Sequence, residues 1–143
     1  MRILIADDDK VGRLVLQGCL KKIGRVDAFV SGEDALDAIT AAFNSNEPYD
    51  LVCLDIEMGG ISGIETLLRL RAIESQQGPN TPLHVTKVLM VTGAETMNSD
   101  MLDFTQAAAW VAKPYTLAAV QRELVRLGLL PNTVVGVPGA AQR

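Results

Sequence analysis

The chain has 143 residues, 48% of them hydrophobic and 21% charged, with a formal net charge of −4 at pH 7. That is the composition of one globular domain able to bury a sizeable core, not of a disordered or membrane-embedded chain. No apolar run approaches the roughly 20 residues that cross a bilayer, and the 13 Lys and Arg residues are scattered, not gathered into a stripe that would bind nucleic acid.

The first element is the run Ile3-Leu4-Ile5-Ala6, rich in β-branched residues and read as a strand buried on both faces. It is too short to be a signal-peptide core, so export is not expected. After Asp7-Asp8-Asp9, the spacing Val11, Leu14, Val15, Gly18, Cys19 predicts a helix packed on a sheet through that stripe and ended by Gly24. Val26–Val30 reads as a second strand. Ser31 and Asp34 open the next helix as a capping box, with Leu36, Ile39 and Phe43 as its buried stripe and residues 44–48 as its stop. The third strand, Leu51–Leu54, runs directly into Asp55. Ser62 and Glu65 cap another helix, backed by Ile64, Leu67 and Leu68.

Residues 76–82 are rich in Gly, Pro and Asn and form a loop longer than a tight connection needs. Val88–Val91 is the fourth strand, ending at Thr92. Residues 97–106 suggest a weaker helix with irregular apolar spacing. Ala109–Ala112 is the fifth strand, followed by Lys113-Pro114. Thr116 caps a last helix carrying Leu117, Val120, Leu124 and Leu127, closed by Gly128. The expected organisation is one domain over residues 1–127 and a Gly/Pro-rich tail or linker over 128–143. Cys19 and Cys53 lie in apolar patterns without metal-ligand spacing, which suits reduced core thiols of a cytoplasmic protein. His84, the one histidine, is read as a surface loop residue.

Alternating strands and helices imply an α/β fold with a parallel sheet, helices on both faces and right-handed crossovers. In such sheets ligands bind beyond the carboxyl ends of the strands. Those ends carry Asp7-Asp8-Asp9, Asp55, Thr92 and Lys113. Each alone is an ordinary turn residue; together, on four strand ends, they offer acid, acid, hydroxyl and ammonium at one edge. Neighbouring carboxylates repel and call for a cation, and an all-oxygen donor set suits Mg²⁺. A lysine and a hydroxyl beside it suit the oxygens of a phosphoryl group.

The motifs Ile-Leu-Ile-Ala-Asp7-Asp8-Asp9, Leu-Val-Cys-Leu-Asp55-Ile-Glu-Met58, Met-Val-Thr92-Gly93 and Val-Ala-Lys113-Pro114 together resemble the receiver domain of two-component response regulators. The resemblance covers about residues 2 to 127. It implies the flavodoxin-like doubly wound sheet with strand order 2-1-3-4-5, whose ligand site lies at the switch point of the strand order. It implies that Asp55 accepts a phosphoryl group from a histidine kinase or histidine phosphotransfer protein. Asp7, Asp8, Asp55 and the backbone carbonyl of Glu57 would hold Mg²⁺, while Thr92 and Lys113 contact the phosphoryl oxygens. The domain would catalyse its own phosphorylation and dephosphorylation and not act on external substrates. Trp110 fits the position of a switch aromatic, although a large side chain half buried at a sheet edge reads equally well.

Output would pass to a protein effector or to a C-terminal output domain outside this sequence, and dimerisation on phosphorylation stays open. Two rival readings stand beside this one. One is a receiver-like binding module that is never phosphorylated. The other is a Mg²⁺-dependent aspartyl phosphatase built on Asp7-x-Asp9. The sequence departs from the family pattern at Gly59-Gly60, where a proline is usual after the methionine. It departs again at Ser62, where an acidic residue is common, and in the long loop from Gln76 to Thr86.

Overall fold

The computed structural model describes residues 1–78, 84–93 and 108–131. Within them, β1 (Arg2–Ala6), β2 (Arg25–Phe29), β3 (Leu51–Asp55), β4 (Lys87–Gly93) and β5 (Ala108–Lys113) form one sheet. The strands run β2-β1-β3-β4-β5, every neighbouring pair parallel, as expected. Four helices are described: α1 (Lys10–Leu20), α2 (Gly32–Asn44), α3 (Gly63–Glu74) and α4 (Leu117–Arg126). The expected helix over 97–106 lies outside the described residues, as does most of the tail.

Strand side chains alternate between two buried layers, as a sheet covered on both faces requires. Leu4, Ala6, Val52, Leu54, Val88, Met90 and Trp110 face one layer, packed with Leu36 and Ile39 of α2 and Leu67 and Leu70 of α3. Ile3, Ile5, Leu51, Cys53, Leu89, Val91 and Val111 face the other, with Leu16 and Leu20 of α1 and Val120 and Leu124 of α4. Each helix starts on a side-chain cap. Asp9, Ser31, Ser62 and Thr116 accept the amides of Gly12, Asp34, Glu65 and Ala119 at 2.8, 3.1, 3.1 and 3.1 Å. Such caps contribute about 1 kcal/mol each.

The buried face of α1 is not the expected one. Val11, Leu14 and Val15 are exposed, and Gly18 with them, while Leu16 and Leu20 are buried. The sequence holds two apolar series a fraction of a turn apart, and the cap and Gly12 choose between them. A Cβ on Gly12 would lie 2.7 Å from the Asp7 carboxylate. Gly12 must therefore face the end of β1, and Leu16 and Leu20, four and eight residues on, follow it inward.

Gly24 does not close this helix either. The helix ends at Leu20, and Gly24 sits where any side chain would strike the Met1 carbonyl, 2.5 Å away. Leu68 and Leu117, expected in the core, are exposed.

The amino edge of the sheet is sealed by polar contacts. Buried Glu74 pairs with Arg71 at 2.8 Å and accepts the Thr86 amide at 2.5 Å, while Arg71 also donates to the Thr86 carbonyl at 2.9 Å. His84 is no free surface residue. Its backbone is bracketed by the Gln77 side-chain amide at 2.8 and 2.9 Å, its Nε2 donates to the Tyr49 carbonyl at 2.8 Å, and its ring meets Phe43 edge-on.

Candidate functional site

The carboxyl edge gathers the acids from separate strands. Parallel register puts Ala6 beside Leu54 and Asp55 beside Val91, so the residues just past β1 and the last residue of β3 meet at one level. Gly93 pairs with Lys113, which brings the lysine to the same edge. Asp7 and Asp55 are buried and Asp8 is exposed. One carboxylate oxygen from each of the three lies within 4.8 Å of the other two. The Lys113 ammonium sits 3.1 Å from Asp55 Oδ2 and 3.7 Å from Asp7 Oδ2.

Backbone amides fix the acids. The Asp9 amide donates to Asp7 Oδ1 at 2.9 Å, and the Glu57 amide donates to Asp55 Oδ1 at 3.2 Å. The Gly59 amide reaches across to Asp8 Oδ2 at 3.1 Å. The Arg13 guanidinium holds the Asp7 carbonyl at 3.0 Å. Tyr115, on the loop after β5, reaches the Gly12 carbonyl at 3.5 Å.

Among the described residues charge at this edge is out of balance, since a cluster of three carboxylates has one ammonium as its ion-pair partner. Burial, seconded by the Asp55 charge, pushes Asp7 up to about 6 against the opposing Asp9 amide and Lys113. Burial alone would lower the Lys113 pKa, but the hydrogen bond and charge of Asp55, with Asp7 and Asp9, raise it. Burial likewise lifts the Tyr115 phenol to about 12. A site with surplus buried negative charge, oxygen donors only and an opening at Asp8 fits a small hard cation such as Mg²⁺.

Asp7, Asp8, Asp55 and Lys113 therefore converge. Thr92 is fully buried one residue beyond the β4 partner of Asp55, and its hydroxyl donates to the Gly93 carbonyl at 2.9 Å. Glu57 is exposed two residues beyond Asp55, joined to it through its own amide. Trp110 is not half buried. It is 9% exposed and packs in the α2–α3 layer, three residues before Lys113. Asp9 stands apart from the cluster of three acids because its carboxylate caps α1.

Sequence reasoning missed Gly12, Tyr115 and the Gly59 amide. Gly59 left a trace as a departure from the family pattern; the other two left none, because Gly12 acts through a close backbone approach and Tyr115 through a contact 103 residues away in sequence.

Residues 3–124 match the family described as the response regulator receiver domain. The chain belongs to that family. This receiver domain is 33% identical over 132 residues to the sensory/regulatory protein RpfC of Xanthomonas campestris, a match covering 90% of the chain and 17% of RpfC. The chain thus spans only a small part of that relative. It is 30% identical over 130 residues to the chemotaxis protein CheY-3 of Vibrio cholerae, covering 89% of the chain and 91% of CheY-3. Among solved structures, it is similar to the response regulator TrrA of Thermotoga maritima, crystallised in complex with Mg²⁺ and a beryllium fluoride. The identity is 30%, the TM-score 0.67, and the match covers 88% of this chain and 97% of TrrA. No helix among the described residues of the receiver domain is long and apolar enough to cross a membrane.

Proposed function

We propose that this receiver domain is a phosphoacceptor switch in which Asp55 takes a phosphoryl group from a phosphohistidine on a histidine kinase or phosphotransfer protein. The observation that carries this reading is the Lys113 ammonium 3.1 Å from Asp55 Oδ2, inside a cluster of three carboxylates. Asp7, Asp8, Asp55 and the Glu57 carbonyl would hold Mg²⁺. When bound, Mg²⁺ supplies charge neutralisation at the phosphoryl oxygens.

An Asp55 carboxylate oxygen attacks the phosphorus, the P–N bond breaks, and its electron pair stays on the donor imidazole. Lys113 meets the charge on the transferring oxygens, and the Thr92 hydroxyl moves to donate to them. Hydrolysis later breaks the new P–O bond by attack of water on phosphorus, returning the carboxylate and inorganic phosphate.

The phosphoryl group adds about 1.5 to 2 negative charges. Thr92 and Trp110 carry that change to the β5–α4 face, where a protein effector or an output domain outside this sequence reads it. The exposed stripe of Val11, Leu14 and Val15 begins two residues after Asp9 and gives the donor protein an apolar seat beside the site. The functional unit is residues 1–127, with 128–143 as a tail or linker, and it works in the cytoplasm. The phosphatase alternative is disfavoured because the Asp9 carboxylate is committed to the α1 cap.

Intact-mass measurement after incubation with acetyl phosphate and Mg²⁺ tests the proposal. Wild type gains one phosphoryl group and Asp55→Asn gains none. An unchanged wild-type mass, or an equal gain in the variant, overturns it.

A further inference from the structure

Two of the three acids are held by their burial and by neighbouring groups. Asp7 is buried, takes the Asp9 amide and lies near Lys113; Asp55 is buried, takes the Glu57 amide and pairs with Lys113. Asp8 is different. Its carboxylate is exposed, and the contact that aims it toward the cluster comes from 51 residues away, the Gly59 amide at 3.1 Å.

The loop bearing that amide is itself seated. Gly60 adopts φ +79°, a conformation that favours glycine. A Cβ on it would lie 2.5 Å from the Glu33 carboxylate of α2, which accepts the Ile61 amide at 3.4 Å. The Gly59-Gly60 pair therefore lets the loop lie against α2 while one N–H points at Asp8. A proline at residue 59 has no N–H to offer.

We propose that the Gly59 amide is a positioning group for Asp8, holding an exposed carboxylate in its cation-binding orientation. The inference rests on the reading of Asp8 as a metal ligand. One oxygen accepts the amide, and the remaining lone pairs stay available to the cation. Outer hydrogen bonds of this kind fix a ligand's direction, and losing one costs on the order of 10- to 100-fold in metal affinity. Glu33 steadies the loop at one remove.

Two substitutions at one residue separate the donor from the side chain. Gly59→Ala keeps the N–H, and its Cβ has room, with nothing nearer than Asp8 Oδ2 at 3.9 Å. Gly59→Pro deletes the N–H. In Mg²⁺ titration calorimetry of the full chain, Gly59→Ala binds within about twofold of wild type, whereas Gly59→Pro binds about tenfold more weakly. Glu33→Ala falls between them.

In the wild type the Gly59 amide, followed by ¹⁵N NMR hydrogen exchange, stays protected when Mg²⁺ saturates. This measurement decides the matter on its own if the proline variant does not fold. Gly59→Pro binding as tightly as Gly59→Ala, or loss of amide protection on Mg²⁺ binding, overturns the proposal. Wild type failing to bind Mg²⁺ at all would instead defeat the metal reading beneath it.

Discussion

The two ends of the sheet bury charge in opposite ways. At the amino edge, Glu74 meets one arginine and one backbone amide, so acid and base match one to one. At the carboxyl edge, Asp7, Asp8 and Asp55 each take a backbone amide, but among the described residues the cluster has one ion-pair partner, Lys113. A matched cluster closes a structure, while an unmatched one stores repulsion that a cation and an anionic guest can relieve. The same fold carries both because helices and loops cover the amino edge, where the long connection after α3 folds back through Gln77, His84 and Thr86.

Substitution of one acid at each end breaks the comparison most directly. Asp55→Asn abolishes phosphoryl uptake yet leaves the thermal midpoint without Mg²⁺ unchanged or higher, because it removes a like charge from an acidic cluster. Glu74→Ala does the reverse. It strands Arg71 and the Thr86 amide and costs about 3 kcal/mol in urea unfolding, while Mg²⁺ affinity measured by calorimetry stays within about twofold. Loss of stability in Asp55→Asn comparable to that of Glu74→Ala would erase the distinction between the two ends.

A pH series sharpens it. Asp7 is raised to about 6 from 3.8, so between those values the folded chain holds more protons than the unfolded one. Its contribution to stability without Mg²⁺ is therefore greatest below the unfolded value and declines as pH rises through about 6. Mg²⁺ needs the ionised acid, so its affinity falls by up to about tenfold per pH unit below about 6. Opposite slopes for stability and affinity are the expected signature, read by chemical denaturation and calorimetry on the same samples. Parallel slopes would remove Asp7 from the site.

Much of this was legible in the sequence, and the parts that were not share a physical cause. Strand runs, three of the four caps and the acids at strand ends are local patterns, and parallel register alone brings Asp7, Asp55 and Lys113 to one edge. The rotation of α1 was not legible, because Val11-Leu14-Val15 and Leu16-Cys19-Leu20 both satisfy helical spacing. Only the close approach of Gly12 to Asp7 breaks the tie. His84 looked like a loop residue because its partners, Tyr49 and Phe43, are distant in sequence. Trp110 sits deeper than an edge-strand position suggests because it joins the buried cluster that Val88 and Met90 of β4 share with α2 and α3.

The two faces of α1 carry the comparison down to its smallest energies. Leu16→Ala empties a buried position and costs about 2 to 4 kcal/mol in urea unfolding. Val15→Ser, on the exposed stripe one residue away, changes stability by no more than about 0.5 kcal/mol. If that stripe seats the phosphohistidine protein, Val15→Ser slows phosphorylation by a protein donor several-fold, about 1 kcal/mol of lost contact, and leaves the rate with acetyl phosphate unchanged. The small donor needs only the carboxyl edge, whereas the protein donor needs the edge and its apolar flank together. Equal slowing with both donors would mean that Val15 acts on the chemistry at Asp55, and the exposed stripe would lose its role as a seat.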